Sequence, residues 1–156
     1  MFPQHRVVFY LILRKEGKIT MCNNSLIYLA TPSASSVASG GVLPLSTIVR
    51  RRGGSVLQSN DSIVLGAPGY YHVSVNATFT APATGVVTLS LRQDGIQVQG
   101  GTASTTISTA TTEVRSISFE AIVRVPCNGS PVTLTVINSG VAITTSNIAI
   151  AVEYLN

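Results

Sequence analysis

Tyr71-His72-Val73-Ser74-Val75-Asn76-Ala77-Thr78-Phe79 alternates apolar and polar side chains at every step. A period of two places Tyr71, Val73, Val75, Ala77 and Phe79 on one face of a β-strand and His72, Ser74, Asn76 and Thr78 on the other. A helix over the same residues would put Tyr71, Ser74, Val75 and Thr78 together and leave no apolar face. The stretch is therefore a strand with one buried side.

Moving outward, the same alternation recurs in Val87, Leu89 and Leu91, in Ile117, Phe119, Ala121, Val123 and Val125, in Val132, Leu134 and Val136, and in Ile148, Ile150, Val152 and Tyr154. Turn-forming clusters separate the runs: Ala67-Pro68-Gly69, Ala81-Pro82-Ala83-Thr84-Gly85, Gln93-Asp94-Gly95, Pro126 to Pro131, and Asn138-Ser139-Gly140. Asp94-Gly95 suits the two positive φ angles of a tight hairpin that joins Leu91 to Ile96-Gln97-Val98. Gly100 to Thr112, small and polar, is expected to be the longest loop. Short strands with regular turns predict an all-β, two-sheet antiparallel β-sandwich over residues 42–156. Ahead of it, Met21 to Gly41 passes from Leu26-Ile27-Tyr28-Leu29 into a Ser- and Gly-rich stretch, which predicts an arm or linker over 21–41.

A chain of 156 residues suffices for one well-buried core. Arg6, Arg14, Lys15 and Lys18 against Glu16 give residues 1–20 a net +3, which leaves +1 for the rest of a chain whose formal charge is +4. A nucleic-acid surface needs grouped Lys and Arg beside stacking aromatics, and the body of the chain lacks both, so nucleic acid is disfavoured. The one dense group is Arg50-Arg51-Arg52 before Gly53-Gly54. Three guanidinium groups beside a turn can hold a partner's phosphate or carboxylates, while a solvated strand end is the plainer reading.

Val7 to Leu13, VVFYLIL, is too short to span a membrane, and Arg14-Lys15-Glu16-Gly17-Lys18 follows where an export signal needs small residues. Arg14 to Gly17 can be encoded by a purine-rich stretch containing a ribosome-binding sequence, with Met21 a short spacer downstream. Residues 1–20 are accordingly expected to be a non-native leader, with translation starting at Met21 inside a prokaryotic cell. Cys22 and Cys127 would pair only if both ends of the chain met; two unpaired thiols are the expectation.

Catalytic constellations are not apparent. Asp61, Asp94, Glu113, Glu120, Glu153 and His72 are scattered singly, no Gly-x-Ser-x-Gly elbow occurs, and widely spaced Cys and His offer no zinc pattern. No metal, cofactor or enzymatic activity is expected. The second faces of the strands are informative for another reason: they are small and uncharged, as at Ala149 and Ala151 beside the His72 row. With a mean hydropathy of +0.39, a face so poor in charge implies cover by further copies of the chain.

Gly69-Tyr70-Tyr71 opening a long alternating strand, Leu89 to Gly95 ending in a hairpin, and the apolar terminal strand Ile148 to Leu155 resemble the tumour-necrosis-factor and complement-globular-head superfamily of jelly rolls. The resemblance implies two sheets packed three-fold about an axis, with His72, Ser74, Asn76, Thr78, Ala149 and Ala151 facing that axis as the homotrimer interface. With its Cys- and Asn-rich start, the chain is also similar to phage head-fibre or virion-decoration proteins and to the tip domains of bacterial spore filaments.

The sequence thus implies a non-enzymatic structural or binding module. The first expectation is a phage virion component, assembled in the bacterial cytoplasm. In it, residues 21–41 dock to a capsid, fibre or other scaffold protein, Arg50, Arg51 and Arg52 offer a further partner contact, and the loops Gly100 to Thr112 and Pro126 to Pro131 meet a surface glycan or protein of the host. A spore-coat or cell-surface adhesive module is the alternative, and a carbohydrate-active enzyme fragment is the alternative from another class. N-terminal mass spectrometry of the native protein is expected to find Met21 or Cys22 first; a native peptide spanning Thr20-Met21 would refute the internal start.

Overall fold

The computed structural model describes residues 24–155. Eleven strands follow one another: β1 (Leu26–Thr31), β2 (Ser35–Val37), β3 (Thr47–Arg52), β4 (Val56–Ser59), β5 (Ser62–Leu65), β6 (Gly69–Thr80), β7 (Gly85–Gln93), β8 (Ile96–Ile107), β9 (Arg115–Val125), β10 (Val132–Asn138) and β11 (Ile143–Leu155). They form two antiparallel sheets, the first in the order β3-β1-β11-β6-β9 with β2 also on β11, the second β4-β5-β10-β7-β8.

The alternating stretch Tyr71 to Phe79 lies in β6, with β9 on one side and β11 on the other. Its inward row, Tyr71 to Phe79, is at most 1% exposed. Register aligns Val73, Val75 and Ala77 with Val152, Ile150 and Ile148 of β11, and with Ala121, Phe119 and Ile117 of β9, so three apolar rows merge into one surface. Val87, Leu89 and Leu91 of β7 and Leu134 and Val136 of β10 are also buried, as the core rows of the second sheet. Each such aliphatic side chain contributes about 1.5–3 kcal/mol of transfer free energy.

The predicted hairpin forms between β7 and β8, with φ 49° at Asp94 and 84° at Gly95. The Asp94 carboxylate also accepts the Thr133 amide at 2.8 Å, fastening the turn to β10.

Two expectations need correction. Residues 26–41 are not a free arm: β1 lies between β11 and β3, β2 pairs with β11, and Ile27 and Leu29 are 0% and 1% exposed. The core therefore begins at β1 rather than at Val42. Gly100 to Thr112 is likewise not one loop, because Gly100 to Ile107 continue β8 opposite β7. Thr and Ser are strand-compatible on a half-solvated face, but only Gly101 and Ile107 of this half are buried, so no apolar row advertises it. The expectations for residues 1–20 and for Cys22 lie outside the described residues.

The β10–β11 turn is the tightest backbone approach. Asn138, fully buried, donates to the Val141 carbonyl at 2.8 Å and accepts the Gly140 amide at 3.1 Å. A Cβ at Gly140 would meet the Val86 carbonyl oxygen, Val87 Cα at 2.7 Å and Thr88 N at 2.8 Å. Gly140→Ala is expected to destabilise the fold by about 2 kcal/mol or more, since backbone atoms cannot swing aside. Phe79→Ala should cost about 3–5 kcal/mol through the cavity it opens. Urea unfolding midpoints check both.

Candidate functional site

The side chains of β6 that do not enter the core emerge on the outer face of the first sheet. Register sets Asn76 opposite Ala149 and Ser74 opposite Ala151, with His72 and Thr78 at either end of the same row. The six residues expected from the sequence at a trimer interface are thus one contiguous patch across two adjoining strands, partly buried or exposed and small at its centre. Thr78 Oγ1 is hydrogen-bonded to Ser116 Oγ at 2.9 Å, which carries the patch onto β9.

Arg50, Arg51 and Arg52 lie on β3, the edge strand, where every residue is exposed. Arg50 is opposite Tyr28 and Arg52 opposite Leu26. Tyr28 is in turn opposite Ala151, so Arg50 and Arg52 flank the patch rather than belong to it, while Arg51, opposite the buried Ile27, is out of phase with them. Among the described residues none of the three takes part in a salt bridge.

The structure adds residues to this face that the sequence reading missed. Tyr70 is 52% exposed and stands between Leu155 and Arg124, whose guanidinium lies 6.0 Å from the centre of the Tyr70 ring. Ile122, 53% exposed, is opposite His72. Both were available from parity: each falls out of phase with its strand's buried row. Tyr28 was hidden by reading its segment as an arm.

Charge on the face is sparse. His72 Nε2 is 3.3 Å from Glu120 on β9, and Glu153 of β11 is directly opposite His72. The other carboxylates serve backbone amides: Asp61 accepts Leu45 N at 3.0 Å, and Glu113 accepts Ser108 N at 2.6 Å and Thr109 N at 2.7 Å while pairing with Arg115. Among the described residues no group of three His, Cys, Asp or Glu side chains could hold a metal ion, and no helix is long and apolar enough to cross a membrane. What the arrangement supports is contact through a weakly charged sheet face. The second loop expected to meet a partner, Pro126 to Pro131, is exposed and includes Cys127.

No protein-family model and no curated protein sequence matches the chain. Among solved structures, the globular domain of zebrafish complement 1qA is similar at a TM-score of 0.60, with 10% identity over 84% of this chain and 96% of that one. Murine APRIL is similar at 0.58, with 16% identity over 85% and 99%. The PRD1 vertex protein P5 is similar at 0.52, with 18% identity over 85% and 97%. These likenesses show the fold: a two-sheet antiparallel jelly roll of the kind that the three structures share.

Between β8 and β9, the amides of Thr109 and Ser108, with Arg115, hold the Glu113 carboxyl below the usual carboxylate range. A depressed folded-state pKa means that its contribution is complete above the unfolded value and is lost as pH falls through the folded one. Hydrogen-exchange protection at Ser108 and Thr109 should therefore persist through the ordinary carboxylate range and collapse only below it. Glu113→Gln should lower that protection already at neutral pH.

Proposed function

We propose that this protein is a non-enzymatic structural and binding module that closes into a homotrimer through the outer face of its first sheet and works as a component of a phage virion. The observation that carries the assembly is the patch itself: Ser74, Asn76, Ala149 and Ala151, nearly without charge, bordered by the exposed apolar residues Tyr28, Tyr70 and Ile122. A solvated sheet face ordinarily carries charges that block association; this one presents small groups that allow a neighbour's backbone to approach closely. The fold shared with complement and APRIL domains supports a closed ring of copies, and the likeness to a vertex protein supports the virion.

In this reading the sheet face belongs to the assembly, which leaves the outer face of the second sheet and the loop Pro126 to Pro131 to meet a host glycan or protein. Loops held by a rigid scaffold are the usual place for such recognition. Because β1 and β2 are built into the sheet, attachment to a capsid or fibre through this segment would use the surface of the sandwich rather than a free tether.

Light scattering on the full chain is expected to give three times the monomer mass. Ala151→Glu, which places an unpaired charge at the centre of the covered face, should raise the concentration at which the trimer dissociates by about 100-fold or more, corresponding to the several kcal/mol that such a charge costs. The circular-dichroism strand signal should stay unchanged. Mass spectrometry of particles purified from the producing culture should recover the protein with the capsid; recovery in spores or cell envelopes alone would overturn the virion assignment.

A further inference from the structure

The outer face of the first sheet carries two arginines at its β3 edge and its acids on β9 and β11. Along one rung of the register lie Glu120, Ser74, Ala151, Tyr28 and Arg50, running from β9 at one edge to β3 at the other. The next rung runs Ile122, His72, Glu153, Leu26 and Arg52. In both, the arginine lies at the β3 edge; the acid is on β9 in the first rung and on the central strand β11 in the second. Glu120 and Arg50 are four strand intervals apart, roughly 19 Å at the usual spacing. That is about two Debye lengths at physiological salt, so the two charges scarcely attract within one subunit. The Glu120 side chain is 69% exposed, with His72 its neighbour at 3.3 Å. Arg124, the other charge on the outward row of β9, is held over the Tyr70 ring.

We infer that the subunits join head to tail, the β3 edge of one copy lying against the β9 side of the next, with Arg50 and Arg52 pairing with the neighbour's Glu120 and with Glu153 completing the charge balance. This rests on the proposed self-assembly through the same face and adds its direction and its polar contacts. A heterologous contact must bring two different patches together in every copy. Here one patch is cationic and exposed, the other carries an exposed carboxylate, and the strands between are small or apolar. Stacking like edge on like edge would bring Arg50 and Arg52 against their own copies, which the absence of any acid on β3 leaves uncompensated.

The test uses the full chain and three variants: Glu120→Arg, the pair Arg50→Glu with Arg52→Glu, and all three substitutions together. Sedimentation measures the dissociation midpoint, and circular dichroism confirms that each variant is folded. Each single-sided reversal is expected to raise the midpoint at least tenfold, and the three combined to return it to within about threefold of the original. The original assembly should also weaken between 50 mM and 1 M salt, a readout that needs no variant. An assembling chain that is indifferent to salt and to both reversals would overturn the head-to-tail pairing alone, leaving the arginines as guards of an exposed edge strand. A chain that stays monomeric at every concentration would overturn the assembly reading beneath it. A salt-sensitive dimer rescued by the combined swap would keep the charge pairing and refute the trimer.

Discussion

The register between β6 and β11 is the constraint on which everything else depends. From Thr144 opposite Thr80 to Leu155 opposite Tyr70, the two longest central strands pair along nearly their whole length, with a single irregularity between Thr145 and Asn147. A slip of one residue would carry Tyr71 to Phe79 into solvent and bring His72, Asn76 and Thr78 into the core. The same parity therefore places the hydrophobic row inside and the candidate site outside. Two tyrosines pin the start of this register. Tyr71 donates to the Ala67 carbonyl at 2.7 Å, Tyr154 to the Pro68 carbonyl at 3.1 Å, and their rings meet edge to face at 5.1 Å. Burial holds the Tyr71 hydroxyl above its ordinary pKa, which keeps the proton it donates. Gly69 completes the clamp: its φ is 140°, and a Cβ there would come within 2.6 Å of the Tyr154 hydroxyl.

Much of this was legible because a strand buried on one side writes its environment into alternate letters. The five alternating runs of the sequence all became core rows, with Tyr154 only half-buried where its strand reaches the rim. Asp94-Gly95 was legible through backbone chemistry, since few residue pairs accept two positive φ angles in succession. The two misreadings share a cause. β1 has an apolar core pair in Ile27 and Leu29, but its outward positions, Leu26 and Tyr28, are apolar as well, which erases the alternation. The second half of β8 erases it in the opposite way, with Thr, Ser and Ala on both sides. Alternation reports contrast between two faces; where contrast vanishes, only pairing partners reveal the strand.

The loss of contrast in β1 is itself informative about the site. Tyr28 and Leu26 are apolar on the outside of a sheet, as Tyr70, Ile122 and Leu155 are on the same face. Isolated apolar residues on a surface need no explanation, but these flank the neutral patch of Ser74, Asn76, Ala149 and Ala151. The candidate site was found in the sequence through what its centre lacks, namely charge. Its apolar border was missed because each member looked, within its own strand, like an unremarkable out-of-phase residue. The border becomes visible only when register sets five strands side by side.

The placement of the remaining charges fits the proposed covering of this face. Desolvating an unpaired charge is costly, and the strands at the middle of the proposed interface, β1, β11 and β6, present no arginine and the single acid Glu153 beside His72, with Glu120 and Arg124 on β9. Arg50 and Arg52 occupy β3, where an exposed edge strand would otherwise offer unpaired backbone groups to any passing strand. On the free subunit they block indiscriminate edge pairing. In the proposed ring of copies the same groups would select the one neighbour that presents a carboxylate, making protection of the edge and choice of partner properties of the same side chains.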